Sequence, residues 1–289
     1  MISIDDIYGN RCLKCLQSAE EKVGSNRDIW KTELTAKKIW YRIMAEENQA
    51  ILKACREIAM GLHGGTPLHV LEIGTGPGRV IALLLNSDLR YTIKKIVGIE
   101  QNKDIHNEVQ KRFEDERVRV FIRNAFVGID ESGHLHSIRH ALKKSLDFHI
   151  VLAVSNLVGW QCSLSGSNWK CKEREFLIDI LKHAVLPGGG LFFTVYKKDE
   201  LIDLERARMY RAAGDIIEFV DIGGQRHIAI CTDAFSGEKH VSKAYTISEL
   251  EKILNDVRSN LQRENIDIEY TIDSSSMFYM YGVIIRRLS

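Results

Sequence analysis

The segment Val70 to Arg79, VLEIGTGPGR, constrains this chain more than any other. It reads as an apolar strand, a turn with glycine at positions 74, 76 and 78, and the start of the helical run Arg79 to Asn86. Strand, glycine turn and helix together place a ligand on backbone N–H groups at a helix N-terminus. In open α/β sheets such ligands lie outside the carboxyl ends of the strands, at the switch point. Two residues argue against a dinucleotide there. The nicotinamide fingerprint G-x-G-x-x-G needs glycine at its sixth place, where this chain has Arg79, with Gly78 one place early. Glu72 stands two residues before Gly74, where a carboxylate repels a pyrophosphate and attracts an ammonium or sulfonium. The ligand implied is adenosine-bearing and cationic, without phosphates.

The surrounding pattern is an alternation. Strands are expected at His69 to Ile73, Lys95 to Glu100, Arg117 to Arg123, His149 to Val154 and Leu191 to Tyr196. Helices are expected at Asn102 to Glu114, Ile138 to Lys144 and Phe176 to Val185, and Pro187 to Gly190 turns the chain. Several strands are continuous apolar runs, which indicates a mostly parallel sheet covered on both faces. The alternation then stops. Ile216 to Ile222, the turn Gly223-Gly224 and His227 to Thr232 read as a hairpin. Thr246 to Glu249 is a capping box that opens a helix to about Val257. Ile266 to Ile272 and Met277 to Arg286 close the sheet at one edge, antiparallel. Upstream, Ile39, Trp40, Ile43, Met44, Ile51, Leu52 and Ile58 form a helical stripe interrupted by polar turns, ended by the break GLHGGTP. The expected organisation is a helical segment over 1–60 and a main domain over 61–289, with 197–244 as a β-rich insertion.

Four features occur in order: Glu72-x-Gly74-x-Gly76-x-Gly78, Glu100 closing IVGIE, Asn124-Ala125 after the third strand, and Leu186-Pro187-Gly188-Gly189 before the fifth. With them the chain resembles the class I S-adenosylmethionine-dependent methyltransferases over residues 68–196. The resemblance implies an α/β, Rossmann-like, doubly wound sheet of seven strands and S-adenosylmethionine as cofactor. It implies that Glu72, Gly74, Thr75, Gly76 and Gly78 hold the methionine part and that Glu100 grips the ribose hydroxyls. Gln101 would border the adenine, with Asn124 and Ala125 reading it. Asn124 replaces the family's usual acid, yet its carbonyl can still meet the exocyclic amine. Ala153 and Val154 would offer backbone contacts to the methionine end.

On the substrate side stands SNLVGW, with Ser155, Asn156 and Trp160, and Trp40, Tyr41 and Tyr196 are aromatic candidates for the mouth. The N-P-P-Y motif of amino-methylating nucleic-acid enzymes is absent. The S-E-x-x-G-Y outline of arginine methyltransferases has Asn156 where its acid belongs, and a guanidinium without a carboxylate is poorly held. Trp160 and Trp169 flank a polar, serine-rich loop, CSLSGSNWKC, which reads as a surface excursion or part of a pocket wall.

Of the 289 residues, 45% are hydrophobic and 27% charged, ordinary for a soluble globular chain. Lys+Arg 40 against Asp+Glu 39 leaves +1, which argues against a nucleic-acid partner. The longest strongly apolar stretch, Val80 to Leu85, is too short to span a membrane, and the first ten residues do not read as a secretory signal. Six sparse cysteines suit a reducing, cytoplasmic setting. Cys12 and Cys15 form a C-x-x-C, but Cys162 and Cys171 have the wrong spacing to complete a zinc site, so no metal is expected. The expected activity is methyl transfer to nitrogen or oxygen of a small-molecule acceptor. The alternatives are a protein or peptide side chain as acceptor, or a non-catalytic cofactor-binding scaffold. Residues 1–60 and 197–244 are expected to cover the cofactor; the alternative for the inserted strands is to extend the sheet or to pair two subunits as a homodimer.

Overall fold

The computed structural model describes the backbone of residues 27–62, 65–113, 118–130, 132–143, 148–165, 168–212, 216–222, 225–232 and 239–289. Side chains are described from Tyr41 onward, save 164–169, 209–210, 212, 221–227 and 231–240 within these stretches. Cys12 and Cys15 lie outside the described residues, as does the side chain of Trp40.

The elements run α1 (Arg27–Met60), β1 (Leu68–Ile73), α2 (Arg79–Leu85), β2 (Ile93–Glu100), α3 (Lys103–Arg112) and β3 (Arg119–Asn124). A two-stranded hairpin β4 (Gly128–Ile129) and β5 (Leu135–His136) leads to α4 (Ile138–Leu142) and β6 (Phe148–Ala153). Then come β7 (Cys162–Ser165), β8 (Asn168–Cys171), α5 (Glu173–His183) and β9 (Val185–Tyr196). The last part is α6 (Glu200–Ala212), β10 (Ile216–Ile222), β11 (Gln225–Thr232), β12 (Lys239–Lys243), α7 (Ile247–Gln262), β13 (Ile268–Asp273) and β14 (Met280–Arg287).

The main sheet has seven strands in the order β3-β2-β1-β6-β9-β14-β13. β14 is antiparallel to both its neighbours, and the rest is parallel, as the alternating pattern and the closing strands require. Strand residues alternate between two cores. Val70, Ile96, Val120, Ile150 and Phe192 face α1, α2 and α3; Leu71, Val97, Val151, Leu191 and Val283 face α4, α5 and α7. A parallel sheet buried on both faces needs this two-sided apolar supply, which is why its strands read as continuous runs. No helix among the described residues is long and apolar enough to cross a membrane.

Four local expectations change. The N-terminal stripe is not interrupted by turns: α1 is one helix of 34 residues, about 50 Å long at 1.5 Å per residue. Leu186 to Gly189 do not form a separate turn but bulge out of β9, because Val185 pairs with Phe148 and the next pair is Gly190 with Ile150. The inserted segment is not purely β, since it opens with the thirteen-residue helix α6. The polar stretch 162–171 is neither loop nor excursion. It is the hairpin β7–β8, and it joins the inserted strands in a five-stranded sheet of order β10-β11-β12-β7-β8.

Candidate functional site

β1 delivers Ile73 to the switch point between β1 and β6, and the chain then turns through Gly74, Gly76 and Gly78 at φ 74°, 51° and 85°. The Gly74 and Thr75 N–H groups both donate to the Ile99 carbonyl at 3.0 Å, and the Thr75 hydroxyl donates to it at 3.3 Å. The turn is thus tied to the end of β2. Gly78 serves close packing: a Cβ there would stand 2.7 Å from the Phe113 ring and 3.1 Å from Val109. Gly76 is different, because a Cβ there would meet nothing within 4 Å. Its left-handed φ suits glycine, and it leaves open space beside the turn.

Three acids converge below this turn. Glu72 is 2% exposed, and its Oε2 has no hydrogen-bond partner. Burial pushes its carboxyl well above the ordinary 4.5; Arg79 opposes this, and the neighbouring Glu100 and Glu47 add to it. Glu100, also buried, accepts from the Gly76 N–H through Oε2 and from the Asn102 N–H through Oε1, both at 2.8 Å. Asn124 donates its amide to the Glu100 and Gln101 carbonyls at 3.1 and 2.8 Å, and the Ala125 N–H donates to the Glu100 carbonyl. Glu100, Gln101, Asn124 and Ala125 are therefore brought together at the ends of β2 and β3, with Gln101 and Asn124 facing solvent.

The third acid, Glu47, was not foreseen. It comes from α1, is 0% exposed, and forms an ion pair with the 3% exposed Arg79. It also accepts from the Ser155 N–H at 2.8 Å, the Ser155 hydroxyl at 3.1 Å and the Thr194 hydroxyl at 2.5 Å. Arg79 donates further to Asn48 and to the Ser155 hydroxyl. The residue that breaks the dinucleotide fingerprint thus anchors a helix from elsewhere in the chain. A signal was present: Glu47 stands four residues after Ile43 and four before Ile51, on the apolar stripe of α1.

β6 ends at the buried Ala153, and the chain then passes the buried Val154 before Ser155 and Asn156 at φ 58° and 64°, where branched side chains are strained. Of the substrate-side candidates Asn156, Tyr196, Tyr41 and Trp160, two are buried and two are exposed. Asn156 is fully buried, donating to the Ser242 hydroxyl at 2.7 Å and accepting from the Tyr196 N–H at 3.1 Å; it braces β9 and β12. Tyr196 is 3% exposed and lies under the buried Arg206 guanidinium at 3.9 Å, where it serves as packing between β9 and α6. Tyr41 is exposed on α1, and Trp160 is exposed in the turn after Asn156.

No family profile matches this chain, and no curated protein sequence does. Among solved structures it is similar to an S-adenosylmethionine-dependent methyltransferase from Clostridium acetobutylicum, at 12% identity and a TM-score of 0.50, over 95% of this chain and 98% of that one. It also matches such an enzyme from Bacteroides fragilis in complex with S-adenosyl-L-homocysteine, at 11% identity and a TM-score of 0.46, over 82% and 77%. The strand order with its one antiparallel strand, the turn after β1 and the full-length likeness to the first of these agree: this chain has the fold of the class I S-adenosylmethionine-dependent methyltransferases.

Proposed function

We propose that this chain is an S-adenosylmethionine-dependent methyltransferase. The observation that carries this is Glu72, a buried carboxyl with one oxygen unpartnered, set beneath a turn whose Gly76 leaves open space. A buried polar atom without a partner costs about 1–3 kcal/mol, which a cationic ligand would recover. A pyrophosphate would add to the repulsion among Glu72, Glu100 and Glu47, whereas the ammonium and sulfonium of S-adenosylmethionine reduce it. The residues present fit that cofactor. Glu72 and the turn Gly74 to Gly78, including Thr75, would hold its methionine part, with the Ala153 and Val154 backbone beside it. Glu100 would take the ribose hydroxyls, since each carboxylate oxygen has capacity beyond the one bond it accepts here. Gln101, Asn124 and Ala125 would border the adenine.

When bound, the cofactor supplies a methyl group already activated on sulfur. The work left to the protein is positioning and exclusion of water. Glu47, Arg79 and Thr194 fix Ser155 at the end of β6, beside the edge where an acceptor enters. Ser242 and Asn156 join the inserted strands to that same place. These two accessory connections support the reading that α1 and residues 197–244 enclose the acceptor. We further infer a small-molecule acceptor with a nucleophilic nitrogen or oxygen. In support, Asn156 is turned inward and the acid bonded to Ser155 is already paired with Arg79, so among the described residues no unpaired carboxylate touches Ser155 to receive a guanidinium. No residue is assigned as a base.

Calorimetry with S-adenosylhomocysteine, S-adenosylmethionine and NAD tests the cofactor. The first two bind and NAD does not; tighter NAD binding overturns the reading. Incubation with labelled S-adenosylmethionine and cell extract then tests the acceptor, and label confined to macromolecules overturns the small-molecule assignment.

A further inference from the structure

One buried cluster has no part in the reaction proposed above. The hairpin β7–β8 sets Cys162 directly opposite Cys171, and Glu173 opens α5 two residues later. The two sulfurs and one Glu173 oxygen all lie within 4.8 Å of one another. Cys162 and Glu173 are buried and Cys171 is half-buried, so the cluster is reached from the Cys171 side. Two groups from β12 and the residues after it complete the surroundings. Lys243 donates to Glu173 Oε1 at 3.1 Å, and the Tyr245 hydroxyl donates to the same oxygen at 3.2 Å. The spacing that looked wrong for zinc along the chain is closed by the hairpin.

We propose that Cys162, Cys171 and Glu173 form a binding site for a soft divalent cation, zinc foremost. Thiolate sulfur and carboxylate oxygen are zinc donors, with bonds of about 2.3 and 2.0–2.2 Å in a tetrahedron. Such bonds hold the ligand atoms roughly 3.5–3.8 Å apart, so the cluster needs only about 1 Å of side-chain movement to close on the ion. Charge balances as well. With a proton on each sulfur and Glu173 paired with Lys243, the cluster carries no net charge. When zinc binds, two Zn–S bonds form and two S–H bonds break, and both protons leave to solvent. One divalent ion replaces two protons, and the buried cluster stays neutral, as a site removed from water favours. Three protein ligands leave the fourth corner to a water on the Cys171 side. The ion braces the hairpin against the start of α5, and through β12 it steadies the inserted sheet.

The test uses the full chain, reduced, stripped with a chelator, equilibrated with zinc and freed of excess metal. Elemental mass spectrometry is expected to find one zinc per chain at this site, and calorimetry in buffers of different ionisation enthalpy two protons released per zinc. Cobalt in place of zinc gives a thiolate charge-transfer band in the unaltered protein, a readout that no folding defect of a variant affects. Cys171→Ser and Glu173→Gln weaken zinc binding at least tenfold, while Cys12→Ser/Cys15→Ser retains it. Failure of the reduced protein to take up stoichiometric zinc overturns the proposal. So does metal kept by Cys171→Ser but lost with Cys12→Ser/Cys15→Ser, or a Cys162–Cys171 disulfide that forms while zinc is in excess.

Discussion

Glu47→Ala removes a carboxylate on which four donors converge: the Ser155 N–H, the Ser155 and Thr194 hydroxyls, and the Arg79 guanidinium. The Ser155 N–H keeps Thr194 as an acceptor at 2.9 Å, and Arg79 keeps Asn48. What is lost is the countercharge to a guanidinium only 3% exposed. Breaking a buried ion pair from one side costs about 3–5 kcal/mol. At roughly 2–4 °C per kcal/mol for a chain of this size, the melting temperature falls by about 6–20 °C. The double variant Glu47→Leu/Arg79→Met removes both charges and fills both volumes, so it is expected to recover most of the loss. Urea unfolding followed by far-UV circular dichroism on wild type, both single variants and the double gives the coupling energy. A single-variant cost below about 1 kcal/mol, or a double-variant cost equal to the sum of the singles, refutes the reasoning.

Glu72→Gln shows the sign of a raised carboxyl. The unfolded chain releases this proton near the ordinary 4.5 and the folded chain well above it, so wild-type stability declines as pH rises through that interval. Unfolding measured from about pH 5 to about pH 8 is expected to show a shallower decline in the variant, together with weaker S-adenosylhomocysteine binding. Glu100→Ala is expected to weaken S-adenosylhomocysteine by about 1.5–3 kcal/mol, read by calorimetry, because it removes hydrogen bonds to a charged group. It also frees the Gly76 and Asn102 N–H groups, so its melting temperature drops too. Gly76→Ala and Gly78→Ala should part company. Left-handed strain costs Gly76→Ala about 1–2 kcal/mol while filling the open space and lowering affinity, whereas Gly78→Ala adds a clash with Phe113 and loses more stability.

The strands of the main sheet were legible because burial on both faces forces continuous apolar runs at known spacing, as in IVGI of β2 and IVLA of β6. The glycine turn was legible because positive φ at three alternate positions leaves few other residues to use. Helix α6 was not, and its burial explains why. It exposes Leu201 and Leu204 while burying Asp203 and Arg206, which inverts the apolar periodicity a helix is recognised by. The hairpin β7–β8 escaped for a related reason, since its strands are short and rich in polar residues, and its place in a sheet depends on β12, dozens of residues later. Glu47 could be seen as a charge on an apolar stripe. Its partners could not, because periodicity reports that a face is buried and not what it is buried against. For the same reason Asn156 and Tyr196 read as substrate-side candidates: sequence shows a polar residue after a strand and an aromatic one at a strand end, and not that Ser242 and Arg206 from the inserted segment pack on them.

The Glu47 bonds span 108 residues to Ser155 and 147 to Thr194. On the ribosome, at about 5–20 residues per second, the last of these partners is made roughly 7–30 s after Glu47 itself. Arg79 follows Glu47 by 32 residues, but the Ser155 and Thr194 groups that complete its hydrogen bonds are still unmade for most of that time. The carboxylate that later costs several kcal/mol to remove serves first as a solubilising group on a nascent helix. A charge set within an apolar stripe lowers the tendency of that face to associate before β9 is made.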